Sequence, residues 1–176
     1  MLSAILYGLR ISLAVGLAGV VFAGALGIAL GLVAGYFGGV VDSVIMRIAD
    51  VQLTFPAILI ALLVNGVAKS LLGNRLDEMS TLGVLIIAIG LSFWVQYART
   101  VRGSVMVEKN KDYVAAAQLI GLPAQKIMLR HVLPNTMGPI LVIATINLAL
   151  AIITEATLSF LGSGMPDTMP SLGTLI

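Results

Sequence analysis

Residues 11–41 form an unbroken run of 31 positions without a charged side chain. As one helix this run would extend about 46 Å at 1.5 Å per residue, well beyond the ~30 Å hydrocarbon core of a bilayer. Backbone groups in lipid must be satisfied within the segment, so the run predicts a membrane helix that tilts or projects. The run is better read as a span that stays than as a secretory signal, whose apolar region holds only about 7 to 15 residues. Along the run Gly19, Ala23, Gly27, Gly31, Gly35 and Gly39 recur at every fourth position. Such a ridge brings helices close enough for packing to supply the association energy that hydrophobicity cannot supply in lipid. Gly27, Gly31 and Gly35 are therefore expected at a helix contact.

Further apolar runs follow, and composition agrees with them. Hydrophobic residues make up 59% of the chain and charged residues 10%, against about a quarter charged in soluble domains. The expected fold is an all-α, polytopic membrane helical bundle. One transmembrane domain over residues 1–176 would have spans at about 9–35, 51–68, 80–98 and 136–160. Pro56 should kink the second span or restrict its first turn. In the polar stretch 36–50, Arg47 is spaced to pair with Asp50 on one helix face. Phe93, Trp94 and Tyr97, near the end of the third span, suit an interfacial aromatic belt.

Residues 99–135 divide the third expected span from the fourth. They hold Arg99, Arg102, Lys109, Lys111, Lys126 and Arg130 against Glu108 and Asp112, a balance of +4, so the rest of the +2 chain sums to −2. Basic residues beside membrane spans are retained on the cytoplasmic side, which puts this loop inside. The turn at 69–78 must then be external, although its two basic residues outnumber the one in 36–50. Within the loop, Asp112 suits an N-cap, and Tyr113, Ala116, Ala117 and Ile120 recur at i, i+3, i+4 and i+7 on one small apolar helix face. Gly121 suits a left-handed C-cap. Pro123 suits the start of a second helix with Ala124, Ile127, Met128 and His131 on one side, and Pro134 should end it. A small face of this kind fits a partner's groove or, alternatively, lies on lipid headgroups.

This segment resembles the cytoplasmic coupling loop of importer permeases of the ATP-binding cassette class. The family pattern reads Glu-Ala-Ala, three residues, Gly, nine residues, Ile, one residue, Leu-Pro. Here Ala115, Ala116 and Ala117 fill the triplet, Gly121 the glycine, and Leu133 with Pro134 the end. Ala115 replaces the glutamate and His131 the isoleucine. YVAAAQLIG at 113–121 with RHVLPN at 130–135 resembles the dipeptide, oligopeptide and nickel branch. The likeness extends to GYFGGVVDSVIMRIADVQLTFP at 35–56 and EATLSFLG at 155–162. It implies the fold of a type I importer permease in a bacterial inner membrane. It also implies separate ATPase subunits, a second homologous permease subunit and an extracytoplasmic solute-binding protein delivering peptides or related solutes. Asp112, Tyr113, Ala115, Ala116, Ala117, Gly121 and Pro134 are the expected ATPase-coupling residues within 112–134. Related permeases usually carry a span before and a span after such a region, so the chain reads as a core fragment of about four of six spans.

Chemistry of its own is not expected. There is no cysteine, a single histidine and no G-x-x-x-x-G-K-[ST] phosphate loop, so neither a metal or catalytic site nor bound ATP is expected here; ATP belongs on the partner subunits. Basic residues interleave with aliphatics rather than stacking aromatics, which gives no nucleic-acid signal. Within the fourth run, Asn147 and Glu155 are the candidates for a translocation path or external gate, because intramembrane polar groups tend to face cavities. Glu155 lies about 28 Å along a helix from Thr136, toward the external interface. The competing class is a secondary transporter or channel driven by an ion gradient. That class calls for paired intramembrane acids or broken helices in repeated halves.

Overall fold

The computed structural model describes residues 2–72, 78–162, 164 and 173, and all the regular structure among them is helical. In chain order the helices are α1 (Leu2–Phe37), α2 (Gly39–Leu53), α3 (Ala57–Leu72) and α4 (Glu78–Glu108). Then come α5 (Asp112–Leu119), α6 (Ala124–Ile127), a π-helical turn (Met128–Val132), α7 (Leu133–Asn135) and α8 (Met137–Phe160). Half of the expected turn at 69–78 and most of the tail after residue 162 lie outside the described residues.

Among the described residues, three segments are each long and apolar enough to cross a membrane: Leu6–Phe37, Met79–Glu108 and Met137–Phe160. The second of the four expected spans differs from its expected form. Residues 51–53 belong to α2, and the chain leaves the helix at 54–56 before α3 begins. The Thr54 hydroxyl turns back to the Val51 carbonyl at 2.6 Å, and Pro56 has no N–H with which to continue the helix. With 16 residues, α3 extends about 24 Å, short of a ~30 Å core. Only α2 and α3 taken together satisfy the length of a span.

The end of α1 is set by two consecutive glycines. Gly38 and Gly39 have φ of 65° and 56°, values that cost other L-residues roughly 1–2 kcal/mol. The polar stretch 36–50 is consequently a sharp corner followed by the amphipathic helix α2.

The chain forms two compact units. One comprises residues 1–23, 55–93 and 145–176, and the other residues 24–54 and 94–144. In the first, α1 meets α8 where a Cβ on Gly16 would stand 3.0 Å from Ile152 Cγ1, and meets α4 where one on Gly19 would stand 2.7 Å from Ile89 Cγ2. Ser92 ties α4 to the start of α3, its hydroxyl lying 3.1 Å from the Ala57 carbonyl and 2.7 Å from that of Ala88.

In the second unit, Ala49, Trp94, Val95 and Ala98 form the core, with Leu26, Leu30 and Met46 packed around them. The glycine ridge faces α4. A Cβ on Gly27 would stand 2.5 Å from Tyr97 Cβ, and one on Gly35 would stand 2.8 Å from Val105 Cβ. This packing corrects the reading of the aromatic residues as an interfacial belt. Trp94 and Tyr97 are buried, as is Phe93 in the first unit. Trp94 donates its indole N–H to Gln52 Oε1 at 2.7 Å, while the Tyr97 ring lies against Gly24 and its Cβ against Gly27.

Candidate functional site: the loop beneath α4 and α8

The basic segment begins inside a helix. Although 99–135 was expected to be a loop, α4 continues to Glu108, and its last three turns carry Arg99 and Arg102 on one side. These reach α2. Arg102 forms a two-pronged ion pair with Asp42, its Nη2 lying 2.6 Å from Oδ2 and its Nε on Oδ1. Arg99 pairs with Asp50. The expected Arg47–Asp50 pair therefore gives way to an inter-helix pair, with Asp50 held by Arg99. Lys109, just past α4, donates to the Gly35 carbonyl at 2.8 Å, answering an otherwise orphan acceptor in the last turn of α1.

Helix α5 covers Asp112–Leu119. Its N-cap is Lys111 in extended geometry, and Asp112 is the first helical residue without a side-chain capping bond. The Asp112 carboxylate instead opposes the helix dipole from within the first turn. At the other end Gly121 has φ 81°. Its N–H bonds the Gln118 carbonyl at 2.9 Å, and the Leu122 N–H bonds that of Ala117 at 3.2 Å. This paired pattern is the Schellman stop that glycine permits.

The orientation of α5 differs from the face expected from spacing. Val114 and Ala117 are buried against the chain's own core, with Tyr113 half-buried, so Ala117 is not available to a partner. Asp112, Ala115, Ala116 and Leu119 are exposed and recur at i, i+3, i+4 and i+7. Leu119 and Ile120 are 90% and 78% exposed, which leaves two large apolar side chains at the tip of a small-residue face. Of the face expected from spacing, Ala116 and Ile120 are exposed while Tyr113 and Ala117 turn inward, because α5 is apolar nearly all round and packing decides which side is covered.

Beyond the Gly121 turn, Pro123 is the N-cap of α6 rather than its first residue. Ile127 and Met128 point inward, with Ala124 and His131 half-buried, on the side expected from spacing. Pro134 does not stop this helix. The preceding turn widens to π geometry at Met128–Val132, which relieves the pressure of the proline ring on the carbonyl four residues back. The chain bends only at Thr136, whose hydroxyl bonds the Leu133 carbonyl at 2.9 Å.

The two ends of the loop meet at Tyr113. Its hydroxyl donates to Glu108 Oε2 at 2.6 Å and accepts from Asn135 Nδ2 at 3.2 Å. The other Glu108 oxygen accepts from Lys111 Nζ at 2.6 Å, and Asn135 also donates to the His131 carbonyl at 2.7 Å. Burial pushes the Tyr113 hydroxyl above the usual tyrosine range, and its bond to Glu108 adds to the shift. Nothing in the spacing of Glu108 and Asn135 signals this clasp. Asp42 and Asp50 on α2, with Arg99 and Arg102 on α4, did carry a signal: complementary charges on two helices joined by a long apolar connection.

Asn147 and Glu155 belong to the first unit. Both are fully buried on one stripe of α8 with Ala151 and Leu158. Glu155 Oε1 accepts from Ser159 at 2.8 Å, while Glu155 Oε2 and both Asn147 amide atoms lack a hydrogen-bond partner. Among the described residues no group of acids and histidine could hold a metal.

Residues 27–176 match the family model described as the inner membrane component of binding-protein-dependent transport systems. The chain is 37% identical over 175 residues to the dipeptide transport system permease protein of Haemophilus influenzae, covering 99% of this chain and 56% of that protein. It is 38% identical over 168 residues to the oligopeptide transport system permease protein of Bacillus subtilis, covering 96% and 52%. A glutathione transport system permease protein of Pectobacterium atrosepticum is 37% identical over 174 residues, covering 99% and 54%. The chain thus spans about half the length of the curated relatives it matches. The motifs at 35–56, 113–134 and 155–162 all fall within the matched range, and this chain belongs to the family of binding-protein-dependent transport system inner membrane components.

Proposed function

We propose that this chain forms the translocating and coupling part of a permease subunit in an ATP-driven importer of peptides or related small solutes in a bacterial inner membrane. Separate ATPase subunits would seat against α5, a second permease subunit would complete the path, and an extracytoplasmic binding protein would deliver the solute. Support comes from the names of the relatives and, above all, from one arrangement in the loop. α5 is anchored by Val114 and Ala117 and offers Asp112, Ala115, Ala116 and Leu119 outward. A short backbone-close face ending in exposed Leu119 and Ile120 suits a groove in a protein partner. ATP binding would then shift the spans only through different contacts at this dock in the two states.

The deciding experiment is co-purification of the full-length permease with its ATPase subunits, followed by cysteine labelling at Asn110. Residues 1–176 contain no cysteine, and labelling of Asn110→Cys is read against the unaltered permease as the blank. The reading requires labelling from the cytoplasmic side only and protection by the bound ATPase. External labelling, or no ATPase at this surface, defeats it.

A further inference from the structure

We propose that the Tyr113 hydroxyl is the positioning group that converts displacement of α5 into displacement of α4 and α8 together; this rests on the coupling reading above. Apart from this clasp, α5 is joined to α4 by the backbone bonds of the intervening turn and to α7 by way of the Gly121 turn and α6. At its start stand the linker residues Lys109, Asn110 and Lys111, and at its end the Gly121 turn, where a Cβ would meet nothing within 4 Å. The packed face of α5 consists of the small side chains of Val114 and Ala117, whose apolar contact is non-directional.

Direction comes from the clasp. One oxygen atom on α5 bonds Glu108, the last residue of α4, and Asn135, the last residue of α7, two positions before α8 begins. Lys111 fixes the second Glu108 oxygen, and the His131 carbonyl fixes Asn135. Each member therefore has a second partner that holds its side chain in place. Hydrogen bonds to a charged acceptor are shorter and stronger than neutral ones, and linked bonds polarise one another. The neck of the loop, from residue 108 to residue 135, is closed through this single hydroxyl. A push on α5 thus reaches both flanking helices through directed side-chain bonds as well as along the backbone.

The test compares the unaltered full-length transporter with Tyr113→Phe, Asn135→Ala and the double variant in liposomes. Single cysteines at Leu141, Ile146 or Ile153, all exposed on α8, would carry a bimane label whose emission reports movement. Tyr113→Phe keeps the ring, so folding and ATPase binding should persist. The ATP-driven emission change should fall roughly ten-fold, the scale of one charge-assisted hydrogen bond. Asn135→Ala should act similarly and the double variant no worse, because the two changes break one path. A full emission change in Tyr113→Phe overturns the proposal, since the ring would then act by packing alone. Loss of the ATPase from Tyr113→Phe also overturns it, by making Tyr113 a docking contact. If the unaltered permease itself binds no ATPase, the coupling reading fails instead.

Discussion

Gly31 lies so close to Ala98 that a Cβ on the glycine would stand 2.5 Å from the alanine carbonyl oxygen. Val101 Cβ would be 2.9 Å away, and neither atom belongs to a side chain that can swing clear. Gly31→Ala must therefore separate α1 from α4, an overpacking cost of about 1–3 kcal/mol. Gly66→Ala is the control, for nothing lies within 4 Å of its added methyl, and helix propensity favours alanine by up to about 1 kcal/mol. Thermal unfolding of the detergent-purified permease should rank Gly31→Ala below the unaltered chain and Gly66→Ala level with it or above. The reverse order would contradict the packing described.

The two ion pairs between α2 and α4 should contribute unequally. Asp42 and Arg102 have side-chain exposures of 14% and 32%, and the Asp50–Arg99 pair 54% and 48%. Exposed pairs contribute about 0–1 kcal/mol, whereas a partly buried two-pronged pair holds its partner in a fixed geometry. Asp42→Asn should lower the unfolding temperature clearly and Asp50→Asn hardly at all. Exchanging the charges with Asp42→Arg and Arg102→Asp should recover part of the loss, measured as a double-mutant cycle.

At the α5 surface, substitutions should separate docking from folding. Ala116→Trp adds bulk to an exposed position and leaves the anchored face intact, so membrane insertion should be normal while ATPase association falls by more than ten-fold. Gly121→Val should also weaken association, but through the backbone. Its φ of 81° costs a β-branched residue at least roughly 1–2 kcal/mol. Gly121→Asn should be milder, because asparagine tolerates this region. Pull-down of the ATPase with each variant measures the order, and normal binding by Ala116→Trp would remove the docking surface.

Glu155 offers a contrast between structure and transport. Gln at 155 keeps an acceptor for Ser159 and replaces an unpartnered carboxylate oxygen with an uncharged group. The unfolding temperature of Glu155→Gln should stay level or rise, since burying an unpaired ionisable group is costly. If the residue lies on the translocation path, uptake should fall several-fold at unchanged stability. Unchanged uptake would make Glu155 a structural residue.

Much of this architecture was legible along the chain. Uncharged runs of membrane length required helices, since lipid offers backbone groups no other partner. A small residue at every fourth position from 19 to 35, glycine at all but Ala23, required a close neighbour. The Gly121 stop was readable too, because the conformation there strongly favours glycine.

What the chain could not disclose depended on distance in sequence. Complementary charges on α2 and α4 were visible, but Asp42 meets Arg102 across 60 positions and no local period says which acid meets which base. α5 carries apolar residues on nearly all sides, so only packing of Val114 and Ala117 decided which face remained free. Pro56 announced a kink or a restricted first turn in the second span, but not that residues 51–53 would belong to α2. Local composition determined where helices form and how tightly one ridge can pack. Tertiary structure decided which polar groups meet, because a hydrogen bond requires atoms to within a few tenths of an ångström, while apolar burial requires only the right side of a helix.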